Sequence, residues 1–376
     1  MGRKAAVIFF ILVAWLTGCS MPETTGVELA NPETENPGAA GSGTEGYGTL
    51  EAVNYGTGNF ELADSENGDE EREAVDCKAI DSIYTFKQIY MYGEQSGWAL
   101  TTENELLFTE EGIESFSVVR KIDGINAATD GFLSASFFGG HTAYLAYFPE
   151  EDGQLTVEYT NDGGVSWQKT LLDYTGFGST CDAGSAYLAM ADEKTGYLLY
   201  CSTPGTGKMT KILLETADGG RTFNVVADLS DQIAGYPRGL TFHGKKGYIA
   251  VSYHGVDSYL YTTADGGITW EDEKIASAES IKAGEKISYI DGYPPVFSRQ
   301  DHGRGIIVLK MVNENTVYQV FETADGGSRW NAAGKLPCDS LGSYSLGSYS
   351  LGTCSPGSDD VFLFLDGEGK LYAVSD

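Results

Sequence analysis

Basic residues are scarce in this chain: 24 Lys and Arg stand against 54 Asp and Glu, for a formal charge of −30. That balance argues against nucleic acid and against attraction to anionic lipid, since both need clustered cations. Histidine is scarcer still. His141, His243, His254 and His302 are scattered without metal-ligand spacing, and the six cysteines include no CxxC pair or Cys/His constellation. No metal and no cofactor is expected. Long apolar runs are missing beyond the first twenty residues, so no later stretch is expected to span a membrane. A phosphate loop is missing too. Gly205-Thr206-Gly207-Lys208-Met209 ends like one, but Ser202 stands where the first glycine belongs and Met209 replaces the hydroxyl residue. The segment reads as a hairpin loop.

Glycine, by contrast, is abundant, with 49 residues, and much of the information lies in one glycine-containing motif. It reads Thr160-Asn161-Asp162-Gly163-Gly164-Val165-Ser166-Trp167, and again from Thr216 to Phe223, from Thr263 to Trp270 and from Thr323 to Trp330. From Asp162 to Asp218, Asp265 and Asp325 the spacings are 56, 47 and 60 residues. A repeat of that period, with one strand-turn-strand unit per copy, predicts a β-propeller. Each copy follows a strand-like run, such as Lys211-Ile212-Leu213-Leu214 or Tyr318-Gln319-Val320-Phe321. Asp-Gly-Gly is a hairpin signal in which glycine takes positive φ and the carboxylate accepts N–H groups of its own turn. Trp167, Phe223, Trp270 and Trp330, five residues after each Asp, are expected to pack back into the blade. Turn chemistry explains these Asp residues, and four catalytic copies on four blades would make little chemical sense.

The pattern Ser/Thr-x-Asp-x-Gly-x-x-Trp/Phe resembles the Asp-box, or BNR repeat, of the sialidase superfamily, over roughly residues 77–376. The resemblance implies that each box joins the third and fourth strands of a blade, at the rim. It implies no single activity, because the repeat occurs in sialidases, in other glycosidases and in non-enzymatic propellers such as the photosystem II stability/assembly factors.

Arg3 and Lys4 followed by the apolar run Ala5 to Trp15 have the form of a signal peptide, expected over residues 1–18. Leu16-Thr17-Gly18-Cys19 resembles a bacterial lipobox, which implies lipidation of Cys19 and an extracytoplasmic protein anchored to the cell membrane, or to an outer membrane if the cell has one. Residues 19–76 read as an acidic tether. They hold 14 acidic residues against Arg72 alone, with few large apolar groups to bury. Of the remaining cysteines, Cys338 with Cys354 and Cys181 with Cys201 are two pairings that an oxidising location would allow.

Six middle strands recur at blade spacing, at Gly97–Leu100, Ala143–Ala146, Gly196–Leu199, Gly247–Ala250, Gly305–Val308 and Val361–Phe364. Thr109 to Phe116 reads as a decayed first box. The sequence stops inside what would be a sixth box, since Leu371–Asp376 aligns with Leu260–Asp265. The expectation is therefore an all-β, six-bladed propeller over 77–376, with an N-terminal strand near Val75–Ile83 closing the last blade and leaving no open edge there.

Sialidases hold a carboxylate sugar with three converging arginines, the first usually in an Arg-Ile-Pro motif. That motif is absent, and Arg238, Arg299 and Arg304 all fall in the fourth and fifth blades. No catalytic residue is carried over. The remaining candidate is a binding face made by loops between blades, with Tyr174, Phe177, Tyr236, Arg238 and Tyr293. These rings either form a recognition face or close the end of the core. The expected role is that of a monomer binding a protein or glycan at the cell envelope without catalysis. The alternative is a glycoside hydrolase of sialidase type.

Overall fold

The computed structural model describes residues 77–80, 82–92, 95–129, 131–150, 153–177, 182–205, 208–252, 259–273, 275, 289–298, 303–312, 316–335, 352–354, 361–365 and 371–375. The signal peptide, Cys19 and the tether lie outside them. The architecture is an all-β propeller. Its first blade holds β2 (Phe86–Tyr92), β3 (Ser96–Thr101), β4 (Glu105–Thr109) and β5 (Ser117–Lys121) in that spatial order. The second holds β6 (Leu133–Phe138), β7 (Thr142–Tyr147), β8 (Leu155–Thr160) and β9 (Gln168–Leu172). The third holds β10 (Ser185–Met190), β11 (Gly196–Cys201), β12 (Lys211–Thr216) and β13 (Asn224–Asp228). The fourth holds β14 (Tyr236–His243), β15 (Lys246–Ser252), β16 (Leu260–Thr263) and β17 (Glu271–Asp272).

In the fifth blade the inner strand is broken into β18 (Tyr289–Gly292) and β19 (Val296–Phe297), which both pair with β20 (Gly305–Val312). Strands β21 (Thr316–Thr323) and β22 (Asn331–Lys335) follow. Five blades thus come from contiguous stretches of chain. A further sheet is composite: β23 (Gly352–Cys354), β24 (Val361–Leu365) and β25 (Leu371–Ser375) are completed at the outside by β1 (Cys77–Ile80). Strand β1 runs antiparallel to β25, from Cys77 opposite Val374 to Ile80 opposite Leu371. Each middle-strand run expected from the sequence lies in the second strand of its sheet.

In the first five blades the second and third strands are largely buried on both faces, as their continuous apolar runs require. Strand β11, Gly196–Cys201, is buried at every position, and its neighbours β7 and β15 nearly so. Outermost strands are polar and exposed, as in β9 and β13. The core is a series of layers between adjacent blades. One joins Tyr144, Val157 and Tyr159 to Leu188, Leu198 and Tyr200; the next joins Tyr197 and Leu213 to Phe242, Ile249 and Tyr261.

The Asp-Gly-Gly turns link third to fourth strands, and each rests on the blade before it. In the first intact turn Thr160 Oγ1 donates to Asp162 Oδ1 at 2.7 Å and accepts the Gly164 N–H at 3.0 Å. Asp162 also takes the Ser166 N–H at 2.9 Å and the Ser166 hydroxyl at 2.5 Å. The Ser166 and Thr160 bonds hold the Asp162 carboxyl at about 2, well below its ordinary value. Gly163 and Gly164 have φ of 73° and 89°, and a methyl group on Gly164 would stand 3.2 Å from Val119 of the first blade. The second glycine is thus demanded by both backbone and neighbour. Trp167 and Trp270 donate their indole N–H to Gly164 and Gly267 carbonyls at 3.0 Å. Arg329 replaces the hydroxyl residue of the fourth turn, and Asp325 there still accepts the Ser328 and Arg329 N–H groups. Thr109–Phe116 keeps the turn with Glu111 in place of Asp: Thr109 bonds the Gly112 carbonyl, and Phe116 is buried.

Candidate functional site

The inner strands β2, β6, β10, β14 and β19 line a central cavity of about 670 Å³. Antiparallel order fixes its two ends. At the turn end, the turns after the inner strands meet the Asp-Gly-Gly turns: Gly163, Gly219, Gly266 and Gly326 donate their N–H groups to carbonyls of His141, Lys194, Lys245 and Gly303. At the loop end, the connections between blades meet the loops that follow second strands, as when Asn126 donates to the Phe148 carbonyl and Thr203 to the Asp182 carboxylate.

An inner strand has one edge without a strand partner, so its backbone groups need other partners. Side chains of the preceding blade supply several. Gln88 makes a two-bond contact with Ala135, donating to its carbonyl at 3.1 Å and accepting its N–H at 2.8 Å. Ser134 and Ser136 accept the N–H groups of Leu188 and Met190 at 3.2 and 3.0 Å. Tyr187 donates its hydroxyl to the Pro237 carbonyl at 2.7 Å, and burial pushes that hydroxyl's pKa up. Arg238 continues the series toward the fifth blade, with its guanidinium carbon 5.8 Å from the centre of the Tyr293 ring. Burial works to lower its pKa, but nearby Tyr293 and Asp291 outweigh that, so it stays charged.

These placements answer the open question about the five candidate residues one by one. Tyr174 is 7% exposed and stacked on Tyr200 at 5.5 Å, and Phe177 stands edge-on to the same ring at 5.3 Å. Both belong to the apolar layer between the second and third blades, the second of the two roles that the sequence left open. The connection that carries them folds inward because Tyr200 and Phe148 offer apolar area there. Tyr293 is buried under Arg238. Tyr236 alone of the four rings is exposed, at 38%, on the first residue of β14 at the loop end. Arg238 lines the cavity two residues further in.

Several cavity residues were not singled out from the sequence. Gln88, Tyr90 and Tyr92 project from β2, Ser134, Ser136 and Phe138 from β6, and Phe132 just precedes β6. Their signal was alternation along the first strand of each blade, a period of two. Tyr92 is 50% exposed at the turn end, where His243 and Phe297 stack at 6.4 Å.

The three arginines weighed as a sialidase triad are not placed together. Arg238 lies at the loop end, whereas Arg304 immediately precedes β20, the second strand of its blade, at the turn end, where its carbonyl accepts the Ser298 N–H. Arg299 lies outside the described residues. Cys201 is a free thiol, wholly buried, and burial pushes its pKa up to about 12. Its side chain is enclosed beside Lys211 on the paired strand, and Cys181, the other half of the pairing considered from the sequence, lies outside the described residues. The possible partner Cys338 of the other pair lies outside the described residues. Gly205 and Lys208 exchange two 2.8 Å backbone bonds as the two ends of a tight hairpin. Among the described residues, no group of three or more His, Cys, Asp or Glu could hold a metal ion.

No family model matches the chain, and no curated protein matches it. Among solved structures it is similar to YCF48 bound to a D1 peptide, at 15% identity and a TM-score of 0.40, over 80% of this chain and 98% of that one. YCF48 from Cyanidioschyzon merolae gives 14% and 0.41, over 80% and 99%. A Trypanosoma rangeli sialidase in complex with the inhibitor DANA gives 11% and 0.45, over 80% and 60%. At such identities and TM-scores these likenesses assign the chain neither family nor activity. The class defined by its own sheets is an all-β propeller with a cavity on its axis.

Proposed function

We propose that this protein is a lipid-anchored, extracytoplasmic propeller of the Asp-box type that binds a protein or glycan partner at the loop end of its cavity, without chemistry. The observation that carries the binding reading is the separation of Arg238 and Arg304 to opposite ends of the inner strands. A carboxylate sugar held for hydrolysis needs convergent guanidinium groups beside paired acid and nucleophile. Here Arg238 is engaged on Tyr293, and Phe132 and Tyr187 line the cavity on the same side. The lipid anchor rests on Leu16–Cys19 and the acidic tether on residues 19–76. The formal charge of −30 supports a soluble, monomeric domain that avoids nucleic acid.

The test is turnover of a fluorogenic sialoside by the purified protein, together with capture from peptide and glycan arrays. No hydrolysis, with array binding weakened by Tyr236→Ala, is the expected result. Hydrolysis abolished by Arg304→Ala would overturn the reading in favour of a glycosidase of sialidase type.

A further inference from the structure

The turn end of the cavity is walled by rings. Strands β2, β6, β14 and β19 each finish, on that side, at an aromatic residue: Tyr92, Phe138, His243 and Phe297. All four line the cavity. In the third blade the matching place, two residues beyond β10, holds Asp192, which lines it too. Four blades thus contribute one ring each, and the third contributes a carboxylate. None of the four rings is fully buried: Tyr92 is 50% exposed and the others are half-buried. The buried Tyr248 stacks on Phe297 at 5.7 Å and His243 does so at 6.4 Å, so that wall is set before any ligand arrives. Asp192 Oδ1 accepts the Lys194 and Thr195 N–H groups at 2.7 and 2.8 Å, which fixes the carboxylate. Further in, the lining side chains are small, as at Ser136, Ala189 and Thr241, and leave the space open.

We infer that this turn-end mouth is a second binding site, separate from the loop end, and that it takes the terminal residues of a neutral saccharide. A pyranose has an apolar C–H face and a rim of hydroxyls, so it lays its face on an aromatic ring and gives its rim to a few polar groups. The collar offers both, with rings on four blades and one carboxylate as acceptor. The cavity, about 670 Å³, lies within the ~300–1,000 Å³ range of small-ligand pockets and holds more than one sugar ring. Charge selects against an acidic sugar. Among the described lining residues Asp192 is the one acid, and Arg238, the one Lys or Arg, stands at the loop end. A sialate or uronate carboxylate at the turn end would therefore meet repulsion from the lining and no cation in it. Polar side chains deeper in the wall are spent on the next blade, since Gln88, Ser134 and Ser136 bond its backbone, so ring stacking carries the binding. A compact organic cation is a poorer fit, because Asp192 Oδ1 is already engaged by two N–H groups and the rings stand on separate blades instead of closing on one point.

Isothermal titration calorimetry of the full chain with maltotriose, cellotriose and chitotriose tests this, with sialyllactose and choline as the acidic and cationic references and a neutral-glycan array to widen the set of sugars. The expected result is binding of at least one neutral saccharide, weakened about tenfold by Tyr92→Ala, retained by Tyr92→Phe and untouched by Tyr236→Ala at the loop end. Tyr92 is half exposed, so the melt of Tyr92→Ala should stay unchanged and a loss of binding then reports the site and not the fold. No neutral saccharide bound at millimolar concentration, binding lost with Tyr236→Ala in place of Tyr92→Ala, or choline bound in preference to every sugar would each overturn the inference. The loop-end reading depends on Tyr236 and the turn-end site on Tyr92, so the failure of one is distinguishable from the failure of the other.

Discussion

Replacing Arg238 by alanine is expected to lower the melting temperature, while replacing Tyr236, two residues earlier on β14, should leave it nearly unchanged. The contrast follows from burial. Tyr293 is 4% exposed beneath the Arg238 guanidinium, so their contact is largely desolvated and belongs near the upper part of the cation–π range, about 1–2 kcal/mol. The arginine stem adds packing that alanine removes. Against this, the buried Arg238 Nε has no hydrogen-bond partner, so truncation recovers part of its desolvation cost. A net loss of about 1–2 kcal/mol remains, which for a domain of this size is about 2–4 °C. Tyr236 is 38% exposed, and a change there should stay within about 0.5 kcal/mol. Differential scanning calorimetry on the two variants decides the matter. An unchanged melt for Arg238→Ala would refute the assignment of Arg238 as a tie between the fourth and fifth blades and return it to the pool of free binding groups.

Arg120 bonds the buried Glu158 at 2.6 Å and lies 4.8 Å from the centre of the Trp167 ring, so Arg120→Ala strands a carboxylate between two blades. Arg120 is itself about a third exposed, which reduces the cost to about 2–3 kcal/mol; denaturant unfolding should show it, and Arg120→Met with Glu158→Met should recover much of it. Acid should destabilise the protein through its turn carboxylates. Asp162, held at about 2 in the folded state, contributes stability that is full above its ordinary value and is lost as pH falls from about 4 towards 2; Asp162→Asn should flatten that part of the stability profile. Cys201, enclosed and with its thiol pKa raised to about 12, should resist a thiol reagent in the native protein and react once urea unfolds it; rapid native labelling at Cys201 would contradict its burial.

What could be read from the chain beforehand divides along a physical line. The four Asp-Gly-Gly turns were legible because everything that makes them work is local: the Thr hydroxyl, the carboxylate and the two positive-φ glycines lie within five residues. The middle strands were legible because burial on both faces writes a continuous apolar run. The partner of β25 was legible from the arrest of the repeat, although the short β1 carries no strong strand signal of its own. The candidate site was much less so. Tyr174 and Tyr236 look alike in sequence, each an aromatic in a connection between blades, yet one stacks on Tyr200 and the other faces solvent. What separates them is a ring contributed 26 residues further along the chain, at the end of a different strand. The same holds for charge. A total of −30 says nothing of which face each charge joins; strand direction puts Lys194, Arg221 and Lys245 with Glu111 and Glu193 at the turn end, and Lys208 and Lys335 with Asp173, Asp182 and Asp231 at the loop end. In a propeller every loop belongs to one of two faces, so each charged loop residue contributes to a field at one end or the other. Local motifs are therefore enough to define the scaffold, while the chemistry of each face depends on summing over blades that are far apart in sequence.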